Sequence, residues 1–151
     1  MIREILTFGN PLLREKSAEV TRFDEELGIL LDDMYDTMKE ANGIGLAAPQ
    51  VGVLKRVIVI ETDERLGRIE LVNPVITAMW GKQYEEEGCL SLVGKRGIVK
   101  RPMHVKLKAF DRFGRLHKYH GKELLARAFC HETDHLNGIL YEDKVIKWIE
   151  E

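Results

Sequence analysis

Three residues near the C-terminal end of this 151-residue chain have types and a spacing suited to metal chemistry. They are His131, Glu132 and His135, in the order H-E-x-x-H. On a helix, residues four apart lie on one side, about one turn from each other. Two imidazoles placed in this way can bind one metal ion, and the glutamate between them can face a water molecule on that ion. The spacing therefore predicts a hydrolytic metal site, provided that the segment is helical and that a third ligand exists.

The segment around this motif has the pattern of a helix. Apolar residues recur at helical spacing from Lys122 to Asn137, and Asn137-Gly138 is a typical helix end. Both histidines and the glutamate of the motif fall on the apolar side of this helix. Burial of these groups is costly unless something compensates them. A divalent cation would do so.

A catalytic metal site typically has three protein ligands and one open position. Cys89 lies among small residues where the chain can bend, and it is the best candidate for the third ligand. The alternative for Cys89 is a small buried cysteine. Cys130 directly precedes His131, so on a helix the two side chains point about 100° apart, and we interpret Cys130 as a packing residue. Three other histidines fall in predicted strands and are interpreted as exposed: His104, His117 and His120.

The rest of the chain alternates between helix and strand patterns. An amphipathic helix is predicted from about Glu25 to Ala41, with Thr21 or Asp24 as its cap and a stop at Asn42-Gly43. Strands are predicted at Arg56 to Glu61, Ile69 to Val72, Val75 to Thr77, Tyr84 to Glu87, His104 to Asp111 and Leu116 to His120, with a further apolar piece at Ile139 to Tyr141. Asn73-Pro74 is expected to separate two of these strands, and Gly94 and Gly97 to interrupt another. No repeat or linker is evident, which predicts a single domain over residues 1–151.

Composition excludes several classes of protein. The 23 basic and 25 acidic side chains are interspersed, so we expect no nucleic-acid partner and no membrane surface. No apolar run approaches the roughly 20 residues that span a bilayer. The N-terminal residues lack a signal-peptide pattern, and we therefore expect a cytoplasmic protein in which the two cysteines stay reduced.

The segment from Gly43 to Gly52 is rich in small residues. Gly43, Gly45 and Ala48 match a dinucleotide-binding fingerprint, but that fingerprint must follow a strand and open a helix. Here it follows a helix, and Pro49 discourages a new one. The remaining interpretation is an extended backbone that another chain or a ligand can approach closely.

Three stretches resemble, in order, the motifs of the peptide deformylases. They run from Gly43 to Gln50, from Glu87 to Ser91 and from His131 to Leu136. Three flanking stretches resemble the family as well: Gly9 to Leu13, Arg101-Pro102 and Gly138 to Tyr141. Two positions depart from the family pattern, which usually has proline where this chain has Val93 and glutamine where it has Cys130.

The resemblance implies hydrolysis of the formyl group from the N-terminal formyl-methionine of newly made polypeptides, with release of formate. It implies one divalent metal ion, iron(II) in the cell, with zinc, nickel or cobalt also accepted. The implied metal ligands are Cys89, His131 and His135, and a water occupies the fourth position. The implied catalytic residues are Glu132 as general base and acid, with the Gln50 side chain and the Leu90 backbone N–H as oxyanion donors.

The resemblance also implies how substrate binds. The backbone of Gly43, Ile44, Gly45 and Leu46 would pair with the substrate as an added strand. Glu87 and Gly88 of the second motif are included among the substrate-binding residues, and Ile44, Arg127 and Ala128 would line the methionine pocket. We expect an α+β fold with mixed or antiparallel β-sheets around a central C-terminal metal-binding helix and an N-terminal helix packed on the outside. The expected partners are nascent formyl-Met polypeptides, with transient ribosome contact and a monomeric enzyme.

Two other functions compete with this one. A metalloprotease of the H-E-x-x-H type would use histidine or glutamate as its third ligand, and the setting of Cys89 argues against it. A non-catalytic protein with a structural metal would need a fourth protein ligand. The sequence offers no good candidate for that ligand.

Overall fold

The computed structural model describes residues 1–149. Two α-helices are present, α1 (Glu25–Glu40) and α2 (Leu124–Leu136). The strands are β1 (Gly45–Ala47), β2 (Val57–Ile60), β3 (Ile69–Trp80), β4 (Gln83–Cys89), β5 (Leu92–Arg101), β6 (His104–Phe110), β7 (Leu116–Lys122) and β8 (Val145–Trp148). Short 3-10 helices occur at Pro11–Arg14, Ala48–Val51 and Tyr141–Asp143. Of the residues in the predicted domain, only Glu150 and Glu151 lie outside this description.

The strands form two antiparallel sheets. The larger sheet has the order β1-β2-β3-β6-β7, and the smaller has the order β4-β5-β8. Each pairing between these strands is antiparallel, and a parallel bridge joins Ala18 to Lys55 outside them. The predicted combination of α+β content, antiparallel sheets and two helices is confirmed.

The larger sheet lies between the two helices, and the alternation of side chains along β2 shows how. Val57 and Val59 point into a core cluster formed with α1. Ile58 and Ile60 point to the opposite face, into a cluster formed with α2 and Phe129. Because successive side chains of a strand point to opposite faces, a run of four apolar residues serves both cores. Neither helix of residues 1–149 is long and apolar enough to cross a lipid bilayer.

Both helices lie close to their predicted bounds, and local contacts explain where each of them begins. The Asp24 carboxylate accepts the Leu27 backbone N–H at 3.1 Å, which caps α1. Helix α2 starts two residues later than predicted because Lys122 pairs with His104 as the last residue of β7. Glu123 then turns the chain with φ of 55°, and the helix follows at once.

Two sequence predictions about breaks in strands were wrong. Asn73 does not end a strand: it takes φ of 52° in a bulge, and β3 continues to Trp80. The Asn73 side chain accepts from and donates to the backbone of Val20, which holds the bulge in place. Strand β5 likewise passes through Gly94 and Gly97 without a break.

The C-terminal segment also differs from prediction. The apolar piece from Ile139 to Tyr141 is not a strand, and Tyr141 begins a 3-10 turn. The strand is β8, which pairs with β5. A Cβ at Gly97 would lie 2.6 Å from a methyl of Val145, so the missing side chain on β5 lets β8 pack closely.

We predict that Gly138→Ala destabilises the protein strongly. Gly138 has φ of +73°, which disfavours side chains, and an added Cβ would overlap the backbone carbonyl of Arg14. We expect a loss of about 3 kcal/mol in the free energy of unfolding, measured by urea denaturation. Gly67→Ala is the matched control, because Gly67 has φ of +69° with nothing within 4 Å of the new Cβ. Equal losses in both variants would show that packing against Arg14 contributes nothing.

Candidate active site and metal centre

Helix α2 and the end of β4 bring three metal-binding groups together. His131 and His135 lie on the buried face of α2, and Cys89 is the last residue of β4. The Cys89 Sγ atom lies 3.4 Å from Nε2 of His135. One ligand atom from each of the three residues lies within 4.8 Å of the others, so they can form a metal site. The third ligand proposed from the sequence is thus in contact with the helical pair.

A buried ion pair fixes the orientation of the first histidine. Glu87 Oε1 lies 3.0 Å from Nδ1 of His131. The Arg101 guanidinium donates to both oxygens of Glu87, at 2.8 and 2.9 Å, and to Asp134 at 2.9 Å. Since Glu87 occupies Nδ1, the Nε2 atom of His131 is the nitrogen left for a metal.

The charges of this ion pair are held strongly. Burial opposes ionisation of Glu87, but Arg101 and His131 outweigh it and lower the pKa of Glu87 to about 2. Burial would likewise lower the pKa of Arg101, yet Glu87 and Asp134 raise that pKa above its usual value. The pair therefore stays ionised at neutral pH, with both side chains almost inaccessible to solvent.

Glu132 is a buried acid whose carboxylate has no ion-pair partner within residues 1–149. Its Oε1 atom is buried and has no hydrogen-bond partner among the described residues. Burial raises the pKa of Glu132 to about 7, although the neighbouring His131 lowers it. A Cβ at Gly45 would lie 2.6 Å from Oε2 of Glu132, so only glycine in β1 leaves room for this carboxylate. Glu132 can therefore both take up and release a proton near neutral pH.

The two imidazoles show that the site suits a cation. Burial alone would lower the pKa of His131, but Glu132, Cys89 and Glu87 outweigh it and raise that pKa well above its usual value. The pKa of His135 is lowered well below its usual value by burial and by His131. One positive charge is therefore favoured between the cysteine and the acids, while His135 stays neutral. Sulfur and two imidazole nitrogens are ligands that zinc and iron(II) accept, so the residues present fit a divalent metal.

Gln50 lies beside the metal-binding cluster in a fixed orientation. Its side-chain oxygen accepts the Ala47 backbone N–H at 3.0 Å. Its amide nitrogen therefore faces Ser91 Oγ, at 3.1 Å, and Cys89 Sγ, at 3.6 Å. The amide can donate a hydrogen bond toward the metal-binding cluster. Ser91 had no role in the sequence interpretation, and its position inside the second motif was the signal that could have identified it.

A cavity of about 750 Å³ opens onto these groups. Most of the residues named from the sequence line it: Gly43, Ile44, Gly45, Gln50, Glu87, Gly88, Cys89, Leu90, Arg127, Ala128, His131 and Glu132. The exceptions are His135, which lies behind the cavity wall, and Leu46, whose side chain points into the α1 cluster. The volume lies in the range of small-molecule sites.

The wall of the cavity includes two contacts that the sequence did not show. Arg127 donates to Oε1 of Gln83 at 2.6 Å, and Gln83 in turn donates to the carbonyls of Pro102 and Glu123. The guanidinium is thus fixed between α2 and the smaller sheet. A Cβ at Gly43 would lie 2.6 Å from Cδ1 of Leu90, so this glycine brings the N-terminal side of β1 against the second motif.

The prediction that Cys130 is a packing residue is confirmed, and His117 and His120 are exposed as predicted, whereas His104 is half-buried. Cys130 is buried in the α2 cluster, and burial raises the pKa of its thiol to about 11. Neither cysteine forms a disulfide. His104, His117 and His120 lie on β6 and β7, away from the cavity, and at least partly in contact with solvent.

Comparisons with known proteins agree with this geometry. A sequence profile described as polypeptide deformylase matches residues 2–150. The chain belongs to this family. Peptide deformylase of Caldicellulosiruptor bescii is 55% identical over 150 residues, covering 99% of this chain and 89% of that protein. Peptide deformylase of Alkaliphilus metalliredigens is 56% identical over 146 residues, covering 97% of this chain and 98% of that protein.

The three-dimensional structure agrees with the family as well. The crystal structure of a peptide deformylase from Legionella pneumophila has a TM-score of 0.93 and 44% identity, covering 96% of this chain and 86% of that one. Membership of the family makes this chain an enzyme that deformylates N-formylmethionyl peptides. The expectation drawn from the three motifs is confirmed.

We predict that Glu87→Gln weakens metal binding. The substitution removes the charge that holds His131 and leaves Arg101 without its bidentate partner. Loss of such an outer contact typically lowers metal affinity about 10- to 100-fold, which a competition titration with a chelator would measure. Glu86→Gln is the control, because Glu86 is exposed on the same strand. Unchanged affinity in the Glu87 variant would contradict an orienting role for this carboxylate.

Proposed function

We propose that one divalent metal held by Cys89, His131 and His135 performs the deformylation together with Glu132. The observation that carries this proposal is the contact between the two motifs, in which Cys89 Sγ lies 3.4 Å from His135 Nε2. A bound divalent cation would supply Lewis acidity and lower the pKa of water. For the native metal we propose iron(II), with zinc, nickel or cobalt able to replace it.

Glu132 is the group that moves the proton in this proposal. Its pKa of about 7 lets the carboxylate accept a proton from the attacking water and donate it to the leaving amine. Its buried surroundings and the close approach of Gly45 keep the carboxylate in one position. The departing products are formate and a chain with a free N-terminal methionine.

Gln50 and the backbone N–H of Leu90 are the proposed donors to the developing oxyanion. The contact of the Ala47 N–H with the Gln50 oxygen turns the amide N–H groups toward Ser91 and Cys89, and so toward the place where the oxyanion would form. Leu90 directly follows the ligand Cys89, so its N–H is near the same point. Donors that are already oriented need no rearrangement when charge develops in the transition state.

The outer edge of β1 is the proposed binding site for the substrate backbone. Among residues 1–149, β1 pairs only with β2, so the segment of Gly43, Ile44, Gly45 and Leu46 has an outer strand edge beside the cavity. The Gly43 N–H already donates to Met38 and the Ile44 carbonyl already accepts from Glu61, which leaves the backbone groups of Gly45 for a substrate. A peptide can add there as a strand, a mode that recognises main chain rather than side chains. This suits an enzyme that acts on many different polypeptides.

The methionine side chain would enter the part of the cavity between β1 and α2. Ile44, Ala128 and the stem of Arg127 offer apolar surface there, and Glu87 with Gly88 completes the wall. Ile44 is 41% exposed, which leaves its side chain available for contact.

Several wider features belong to the same proposal. We take residues 1–151 to act as one catalytic domain, because the site combines groups from both sheets and α2. We place the enzyme in the cytoplasm as a monomer that meets nascent formyl-Met polypeptides during protein biosynthesis and contacts the ribosome transiently.

We predict that Glu132→Ala abolishes deformylation while the protein keeps its metal. The variant removes the proton carrier but none of the ligands, so formate release from a formyl-Met peptide should fall by at least about 100-fold. Elemental analysis would confirm the metal content. Glu85→Ala, at an exposed position of β4, is the control and should keep full activity. Substantial turnover by the Glu132 variant would remove this residue from its assigned role.

We predict that Cys89→Ala loses the metal and that Cys130→Ala keeps it. Both variants remove one thiol, but only Cys89 lies against His135. Metal content per chain, measured after dialysis, separates the two cases. A fully occupied site in the Cys89 variant would place the third ligand elsewhere.

The same enzyme preparation distinguishes the rival functions. A metalloprotease would cut internal bonds of an unformylated peptide, and a structural metal protein would cut nothing. We expect release of formate and no cleavage of internal peptide bonds. Mass spectrometry of formyl-Met peptides and their unformylated counterparts would measure both.

A further inference from the structure

Helix α1 covers only part of the outer face of the larger sheet. Its core cluster reaches β1, β2 and Val72 near the start of β3, and Phe110 packs at its margin. Within residues 1–149, the side chains that β6 and β7 turn to that face stay largely exposed, and α1 does not pack over them. We call the lysines and histidines there, of which His104 is half-buried and the others are exposed, the basic face: His104, Lys106, Lys108, Lys118, His120 and Lys122.

The pairing of β6 with β7 places these residues side by side. Lys108 lies directly opposite Lys118, Lys106 opposite His120, and His104 opposite Lys122. Because strand residues alternate between faces, all six point to the side away from α2. The outward positions of these strand segments carry no acid. None of the four lysines forms an ion pair with a residue between 1 and 149.

This arrangement works against folding stability. Like charges directly opposite each other on antiparallel strands are destabilising. The chain has 25 acidic side chains, enough to neutralise the face, yet places none there. A local pattern that lowers stability without a structural gain is typical of a functional surface.

Aromatic rings form one end of the basic face. The Trp80 ring stacks on His104, with centroids 4.9 Å apart and planes 8° apart. Nδ1 of His104 lies 3.1 Å from Nε2 of His120, and the Lys106 ammonium lies 5.7 Å from the centre of the Trp80 ring. The Trp80 side chain is therefore held in place, although the residue is 44% exposed.

We propose that the basic face binds single-stranded RNA, with the lysines on phosphates and Trp80 against a base. Lysines two apart on a strand form a row of charges with a spacing of about 7 Å, which suits a polyanionic chain. Ordered aromatic rings beside such a row are typical of sheet surfaces that bind single strands. An anionic lipid surface would satisfy the lysines, but it offers no planar base on which the Trp80 ring, already stacked on His104, could stack.

The composition of the chain predicted no nucleic-acid partner. Acids and bases balance over the whole chain, so the total charge does not reveal a basic surface. The register of β6 and β7 concentrates four lysines on one side of the sheet, whereas α2 and its catalytic groups lie on the other. RNA binding and deformylation therefore use separate surfaces and can be tested separately.

The test is fluorescence anisotropy of the metal-loaded enzyme with a labelled single-stranded RNA of about 12 nucleotides, over a range of salt concentrations. Four phosphate contacts predict a slope of about −3 for log K against log salt concentration. The variant with Lys106, Lys108, Lys118 and Lys122 all changed to Ala should bind at least tenfold more weakly and with a flatter slope. The control variant changes four exposed lysines elsewhere to Ala, with the same loss of net charge: Lys16, Lys39, Lys55 and Lys147.

A single substitution tests the stacking contact. Trp80→Ala should weaken binding by about tenfold without changing the salt slope, because it removes a base contact and no phosphate contact. Trp148→Ala is the control, since Trp148 is exposed to a similar degree on the smaller sheet. Circular dichroism of each variant would confirm that it is folded.

Three outcomes would overturn the proposal. They are no RNA binding at low salt, equal losses in the basic-face and control variants, and binding to phosphatidylglycerol vesicles without binding to RNA. All lysine variants should release formate from a short formyl-Met peptide at the wild-type rate. Failure of RNA binding would leave that activity intact, so it is distinguishable from failure of the proposed function.

Discussion

The buried ion pair between Arg101 and Glu87 is the interaction on which the rest of the site depends. It joins β4 to β5 within the smaller sheet, and through His131 and Asp134 it joins that sheet to α2. A buried ion pair adds little net stability but is costly to break, because either charge left alone is uncompensated. The pair therefore fixes where α2 lies relative to Cys89, and with it the distances between Cys89, His131 and His135.

Close approach of backbone segments is the second constraint. Gly45 lets the Glu132 carboxylate reach β1, and Gly43 lets Leu90 pack against the same segment. These contacts place the Glu132 carboxylate, Leu90 and an edge strand of the larger sheet around one cavity. A side chain at either glycine would overlap Glu132 or Leu90 and push this segment away from them, so the shape of the cavity depends on residues that have no side chain of their own.

The larger sheet separates two kinds of surface. The face under α2 is apolar and supports the catalytic helix, whereas the far part of the opposite face carries lysines, imidazoles and Trp80. Alternation along β6 produces both, since Val105 and Leu107 enter the core while Lys106 and Lys108 point outward. One strand can thus contribute to the core of an enzyme and to a separate binding surface.

Helical spacing and short motifs are local properties of the chain, and they were enough to predict the helix around His131 and His135, the candidate residues of the site and the family. The sequence could not determine that Arg101 anchors Glu87, that β3 continues through Asn73, or that β8 completes the smaller sheet, since each depends on a partner far along the chain. The tertiary structure also decided which of many interspersed lysines share a face. The register between β6 and β7 is set by packing and turn geometry, so it cannot be derived from the number of charged residues in the sequence.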